Sequence, residues 1–157
     1  MNDYQDPRVI QRLLLTARTI AVVGLSSNPL RPSHFVGFYL LRHGYRVIPV
    51  NPREREVLGQ RSVERLSQID GPVDIVDVFR EPSVVPELAR DAHAIGAKAL
   101  WLQFGVINET GAAQARADGL DVVMDRCLKI EHARYLGRMH WLGFNTGVIG
   151  ARRAALR

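Results

Sequence analysis

Apolar residues follow two alternating patterns along this chain: short unbroken runs, and longer stretches with apolar positions three or four apart. Thr19-Ile20-Ala21-Val22-Val23-Gly24 is β-branched and apolar on both sides, as a strand buried in a parallel sheet must be. Ahead of it, Asp6-Pro7 offers an N-cap with proline in the first helical position, and Ile10, Leu13, Leu14 and Ala17 follow at helical spacing. After it, Ser33 is read as the cap of a helix carrying Val36, Leu40 and Leu41 and ending at Gly44. Tyr45–Val50 is the second strand, weakened at its end by Pro49, which cannot donate to a ladder. A looser segment spans residues 57–70. Val73–Phe79 is the third strand, interrupted by Asp74 and Asp77. Ser83 is read as the cap of a helix with Val85, Leu88, Ala89, Ala92 and Ile95 on one face, ending at Gly96. Lys98–Gln103 and Asp121–Met124 are strands four and five, separated by an alanine-rich helix capped by Asn108. Helical spacing returns over Leu128–Met139, and the tail to Arg157 has no clear period.

Five strands alternating with helices imply right-handed βαβ crossovers. The expected fold is therefore α/β, a Rossmann-like doubly wound parallel sheet with helices on both faces. At 157 residues the chain is expected to form one domain, with a core over about 8–136 and an extension over 137–157. The longest strongly apolar run is far below the ~18 residues of a membrane span. The first residues lack the basic and apolar regions of a secretory leader, and the single cysteine, Cys127, suits a reducing compartment, so a cytoplasmic location is expected.

In such sheets ligands bind outside the carboxyl ends of the strands, where the strand order reverses. The segments expected there are 24–33, 51–55, 80–83, 104–108 and 125–129. They carry Arg31, Arg53, Arg55, Arg80, Arg126 and Lys129, beside helix amino termini whose free N–H groups favour anions. This placement gives a meaning to the net charge of +5, in which 19 of 21 cationic residues are arginine. The competing reading has these arginines splay into solvent or pair with Glu54, Glu56, Glu81 and Asp125. The first loop lacks the Gly-x-Gly-x-x-Gly dinucleotide pattern: only Gly24 is glycine, and Ser26, Ser27, Asn28, Arg31 and Ser33 offer hydroxyl, amide and guanidinium donors instead. Strand two ends in Asn51-Pro52-Arg53 rather than an acidic residue, which suits a ribose bearing phosphate.

These segments closely resemble the small single-domain CoA-binding proteins, relatives of the CoA-binding domain of the succinyl-CoA synthetase α subunit. The likeness is carried by Ala21–Ser26 with Asn28-Pro29 and Arg31-Pro32-Ser33, Gly44–Pro52, Val73–Arg80, Gly96–Gln103 with Gly105-Val106, and Val122–Cys127 with Lys129, Glu131 and His132. It covers about residues 8–136 and implies coenzyme A, or an acyl-CoA, at the carboxyl edge. By this resemblance Gly24, Leu25 and Ser26 approach the diphosphate, with Asn28, Arg31 and Ser33 closing over it. Asn51, Pro52 and Arg53 frame the adenosine and its phosphate. Phe79 and Arg80 line the adenine side, Gln103, Gly105 and Val106 border the pantetheine, and Lys129 adds a cation. The synthetase's phosphorylated histidine lies in a second domain that this chain does not match, so its activity is not implied.

The residues themselves leave other readings open. An NADP-linked oxidoreductase or a CoA-dependent transferase would use the same edge, although no acid/base pair stands out. Nucleic acid is a weaker partner, because the arginines are scattered among loops. No histidine pair has metal-ligand spacing, and the sequence selects no oligomeric state. Cys127 follows a buried strand, where a lone cysteine is usually a small core residue; the alternative is a thiolate, favoured by the flanking Arg126 and Lys129, that could exchange with CoA disulfide. Trp101 and Trp141 are expected to pack.

Overall fold

A computed structural model describes residues 3–137. In it five parallel strands form one sheet, β1 (Thr19–Val23), β2 (Arg46–Val50), β5 (Ile75–Val78), β6 (Ala99–Leu102) and β7 (Asp121–Met124), with spatial order β2-β1-β5-β6-β7. The expected α/β, Rossmann-like fold is observed. The chain leaves β1 for β2 on one side and returns past it to β5 on the other, so the order reverses at β1. β2 is the last strand in that order, which explains how it accommodates Pro49. The loose segment expected over 57–70 contains a two-stranded hairpin, β3 (Glu56–Val57) with β4 (Gln60–Arg61), then a 3₁₀ turn at Leu66–Gln68. Val63 adds a parallel bridge to Val50.

Five helices cover the sheet: α1 (Pro7–Thr16), α2 (Pro32–Arg42), α3 (Val85–Ala94), α4 (Glu109–Ala117) and α5 (Leu128–Tyr135). Asp6 caps α1 by accepting from the Arg8 N–H, and Asn108 caps α4 by accepting from the Gly111 N–H, as expected. Two expected caps are corrected. Arg31, with extended backbone, occupies the cap position of α2, because Pro32 starts the helix one residue before Ser33. Ser83 lies inside a 3₁₀ turn, Pro82–Val84, that leads into α3. α2 ends where Gly44 adopts φ +86°, a left-handed conformation that costs glycine little. The expected end of the last helix at Met139, and Trp141 with the rest of the tail, lie outside the described residues. No helix among the described residues is long and apolar enough to cross a membrane.

Each sheet face has its own core. One joins Val76, Val78, Leu100 and Leu102 to Val85, Ala89 and Ala92 of α3 and Ala112 and Ala115 of α4. Small residues let these two helices approach closely: a Cβ on Gly111 would stand 2.7 Å from Val85 Cγ1. The other joins Ile20, Val22, Trp101 and Val123 to Ile10 and Leu14 of α1, Leu40 of α2 and Leu128 of α5. Trp101 packs as expected, fully buried, with its indole Nε1 donating to the Arg126 carbonyl at 2.8 Å. Beyond β7 the amino-terminal segment covers the sheet edge: Met124 N–H donates to the Tyr4 carbonyl, and Gln5 Nε2 donates to the Met124 carbonyl.

Two buried titratable groups oppose each other in the pH dependence of this core. Burial drives the His132 pKa down to about 4, with nearby His43 adding to the effect, while the Tyr39 hydroxyl lies 2.8 Å from His132 Nδ1. His132 therefore costs stability as pH falls through the range of a free histidine. Burial drives the Asp77 carboxyl up to about 8, against the lowering effect of its hydrogen bond from Gln103. The unfolded Asp77 ionises near pH 4 and the folded one does not, so its contribution declines as pH rises toward 8. Between about pH 4 and 6.5 the two trends offset; above 6.5 only Asp77 remains. We expect stability to fall by up to ~2 kcal/mol between pH 6.5 and 8. Asp77→Asn, neutral throughout, should abolish that decline in urea titrations at the two pH values. An equal decline in both proteins would mean that Asp77 is ionised in the fold.

Candidate functional site

β1 has no further residue to spare before the chain must turn. Gly24 makes the turn with φ +87°, while its N–H donates to the Val50 carbonyl. A Cβ here would stand 2.9 Å from the Phe79 carbonyl oxygen and 3.3 Å from Arg80 Cδ, so glycine is required by both conformation and space. The β1 and β5 chain ends are therefore in close contact at the strand reversal. A second glycine serves the same region from α2: a Cβ on Gly37 would stand 2.8 Å from Leu25 Cδ1. Leu25 itself is fully buried, which anchors the start of the loop.

The loop that follows is tied to itself and to its neighbours. Ser26 N–H donates to Ser33 Oγ at 3.1 Å, Asn28 N–H to Ser26 Oγ at 3.1 Å, and Leu30 N–H to Asn28 Oδ1 at 3.0 Å. His34 Nδ1 lies 2.9 Å from the Ser26 carbonyl. Glu54 reaches across from the loop after β2 and accepts from both the N–H and the hydroxyl of Ser27. Asn51 Nδ2 donates to the Leu25 carbonyl, and Asn51 Oδ1 accepts from the Arg53 N–H. Displaced from the cap position, the buried Ser33 hydroxyl thus closes the loop instead. The loop's backbone N–H groups are largely spent on fixing its shape, with the Ser26, Asn28 and Ser33 side-chain oxygens as acceptors. The anion-attracting features beside them are the amino terminus of α2 and exposed guanidinium groups.

The expected cationic rim divides into two groups. Arg31, Arg53 and Arg55 are exposed, and none of them enters an ion pair among the described residues. Arg80 instead pairs with Glu81 at 3.2 Å. Arg126 donates to Gln5 Oε1 at 2.8 Å and lies 3.8 Å from the buried Glu131. Lys129 Nζ sits 5.9 Å from the rings of Phe35 and Tyr39 on α2. For Arg80 the expected pair with Glu81 is observed, whereas the acidic neighbour of Arg126 is Glu131 and not Asp125. Free cations concentrate beside β1 and β2.

At the end of β6, Gln103 is buried and its Nε2 donates to Asp77 Oδ1 at 2.7 Å. Gly105, with φ +76°, donates its N–H to Asp125 Oδ1, and Val106 donates its N–H to the Gln103 carbonyl. Gly37, Glu54, Asp77 and Asp125 are additions that the sequence reading did not select. Of these, Asp77 had a signal: an acidic residue inside an apolar strand needs an interior partner.

A groove of about 630 Å³ lies elsewhere, along β2 and the β4 side of the hairpin, lined by Arg46, Ile48, Arg61, Ser62 and Asp70 among others. It contains none of the loop residues that converge at the strand reversal. The convergence of chain ends, rather than cavity volume, marks the candidate site.

Residues 18–133 match the family model described as the CoA binding domain. The chain belongs to that family. It is 42% identical over 124 residues to the uncharacterized protein YneT of Bacillus subtilis, covering 79% of this chain and 92% of YneT. Among solved structures, Prb, the PH1109 protein redesigned for binding, superposes with TM-score 0.84 at 36% identity, over 87% of this chain and 96% of its own. A Thermus thermophilus structure does so with TM-score 0.78 at 40% identity, over 85% and 98%. The chain is also 29% identical over 102 residues to the α subunit of an ADP-forming acetate–CoA ligase II of Pyrococcus furiosus, covering 64% of this chain but only 22% of that subunit. Likeness to a CoA ligase subunit is thereby found; the narrower tie to succinyl-CoA synthetase belongs to the sequence resemblance.

Cys127 is the small core residue that its place after a buried strand led us to expect. It is buried at 9% exposure, and burial pushes its thiol up, with nearby Asp77 in the same direction; Lys129 and the neighbouring N–H groups oppose this without reversing it. The flanking cations do not produce a thiolate, because desolvation outweighs them. Native protein should therefore react with Ellman's reagent only after denaturation and form no mixed disulfide with oxidised CoA by intact mass. Rapid labelling of the native thiol would restore the redox reading.

Proposed function

We propose that this chain is a cytoplasmic CoA-binding protein, holding CoA or an acyl-CoA across the carboxyl edge of its sheet without catalysis of its own. The observation that carries the reading is the strand reversal at Gly24, with the α2 amino terminus and the unpaired Arg31, Arg53 and Arg55 beside it. This set fits the ligand's chemistry. Diphosphate needs close backbone approach, which Gly24, Leu25 and Ser26 provide, and unengaged N–H groups, which the start of α2 provides. Asn28 and Ser33 hold that loop in shape and Arg31 adds charge. Asn51, Pro52 and Arg53 are assigned to the adenosine and its ribose phosphate, and Phe79 and Arg80 to the adenine side. Gln103, Gly105 and Val106 are assigned to the pantetheine arm, with Lys129 as an outer cation. Membership of the CoA binding domain family supports the choice of CoA among phosphorylated ligands.

Calorimetry with CoA, dephospho-CoA and NAD tests the proposal. CoA should bind most tightly. A charged hydrogen bond contributes ~1.5–3 kcal/mol, so removing the ribose phosphate should weaken binding by about one to two orders of magnitude. Equal affinities for CoA and dephospho-CoA would remove the role of Arg53. Native mass spectrometry of freshly purified protein should show a retained CoA or acyl-CoA mass.

Ser26→Tyr should abolish binding while preserving the circular dichroism spectrum, because a ring here obstructs the approach to the loop backbone. Normal CoA binding by this variant would move the ligand away from the first loop.

A further inference from the structure

Asp77 is fully buried in the middle of the sheet, yet it is placed one strand away from the proposed pantetheine contact. Its single hydrogen bond comes from Gln103 Nε2, at 2.7 Å. The Gln103 main chain is already held on both sides: its N–H donates to the Val78 carbonyl at 3.3 Å, and its carbonyl accepts from the Val106 N–H at 2.9 Å. The remaining freedom belongs to the side chain, and the bond to Asp77 removes it. With Nε2 turned toward Asp77, Oε1, the other arm of the planar amide, is directed away from that carboxyl.

That oxygen is the one with work left to do. Among the described residues the buried side-chain polar atoms without a partner are Asp77 Oδ2 and Arg134 Nε, and Gln103 Oε1 is not one of them. Among the described residues it accepts no hydrogen bond, and, not being one of the fully enclosed unpartnered atoms, it keeps some access to a donor from outside. Asp77 Oδ2 is consistent with the neutral acid that burial favours there. The apolar residues Phe104 and Ile107, both exposed, stand on the same loop. An accepting oxygen set in an apolar loop is the complement of a flexible chain of methylenes interrupted by secondary amides, each with an N–H to donate.

We infer that Asp77 is a positioning residue for ligand binding: it holds the Gln103 amide so that Oε1 accepts from an amide N–H of the pantetheine arm. This rests on the CoA reading above and extends it to a residue that touches no ligand. Strand geometry supports the reach. Adjacent strands lie ~4.8 Å apart, so the end of β6 is about 10 Å from the end of β1, within the span of an extended arm leaving a diphosphate bound at Gly24.

The test compares CoA with adenosine 3′-phosphate 5′-diphosphate, which is CoA without its pantetheine arm. Calorimetry on wild type, Asp77→Leu, Gln103→Leu and the double variant forms a cycle. Each single variant should lose about three- to tenfold in CoA affinity and nothing for the nucleotide. The double variant should lose no more than either single one, because Asp77 acts through Gln103. Asp77→Asn, which keeps a neutral acceptor in place, should restore CoA affinity. Equal losses for both ligands, or additive losses in the double variant, would make Asp77 a structural residue and overturn the inference. Binding of neither ligand by wild type would instead overturn the CoA reading itself. Should Asp77→Leu not fold, labelled wild type decides: the Gln103 side-chain amide resonances should move on adding CoA and stay fixed on adding the nucleotide. Movement with neither ligand, or with both alike, counts against the inference.

Discussion

The contact between the ends of β1 and β5 is the constraint on which the site depends. Where β1 stops, the Gly24 α-carbon faces the Phe79 carbonyl so closely that one added carbon would stand 2.9 Å from it. That contact exists because the chain visits β2 before it crosses back to β5, so the connections leaving the carboxyl ends of β1 and β5 run in opposite directions. A side chain at this point would force the two ends apart and open the sheet at its reversal. The segments assigned to the nucleotide end of the proposed ligand are arranged around this approach: the loop to α2, the Asn51 turn after β2, and the Phe79-Arg80 segment after β5.

A loop that we propose lets an anion near its backbone cannot rely on that anion to hold its shape. Here the shape is held from within. Ser33, Ser26 and Asn28 form a relay of N–H to side-chain bonds, and Glu54 and Asn51 clamp the loop from the next strand. Each bond contributes only ~1 kcal/mol net. Together they fix the loop before any ligand arrives, so less ordering entropy opposes binding. The division of the basic residues follows the same logic. Arg80 and Arg126 are neutralised by local partners, which leaves the exposed positive charge of Arg31, Arg53 and Arg55 concentrated beside β1 and β2.

The layered fold was legible because its strands are short, apolar on both sides and separated by helices with one apolar face. Val22 and Val76, buried on opposite faces of the sheet, illustrate this. The caps were less legible. Ser33 and Ser83 have the chemistry of caps, but Pro32 starts α2 one residue before Ser33 and Pro82 opens a 3₁₀ turn that contains Ser83, so proline's fixed φ prevailed over serine's hydroxyl. The sign of the Cys127 shift was hidden for a different reason. Sequence shows which charges are adjacent, whereas desolvation depends on what packs against the sulfur in space. The short hairpin of β3 and β4 has too few residues to display a period, so it read as loop.

Asp77 shows where the two kinds of information meet. The sequence places an acid in an apolar strand, and the fold leaves it with one partner, an amide from the neighbouring strand. As a contribution to stability the pair is poor: a neutral acid hydrogen-bonded on one oxygen costs desolvation that a valine in that strand would avoid. What the pair supplies is direction. A glutamine side chain has torsions that water would leave free, and a buried carbonyl-like acceptor on one side determines which end of the amide faces out. In a sheet whose other interior residues are chosen for packing, a polar pair at the ligand edge makes physical sense as orientation obtained at the expense of stability.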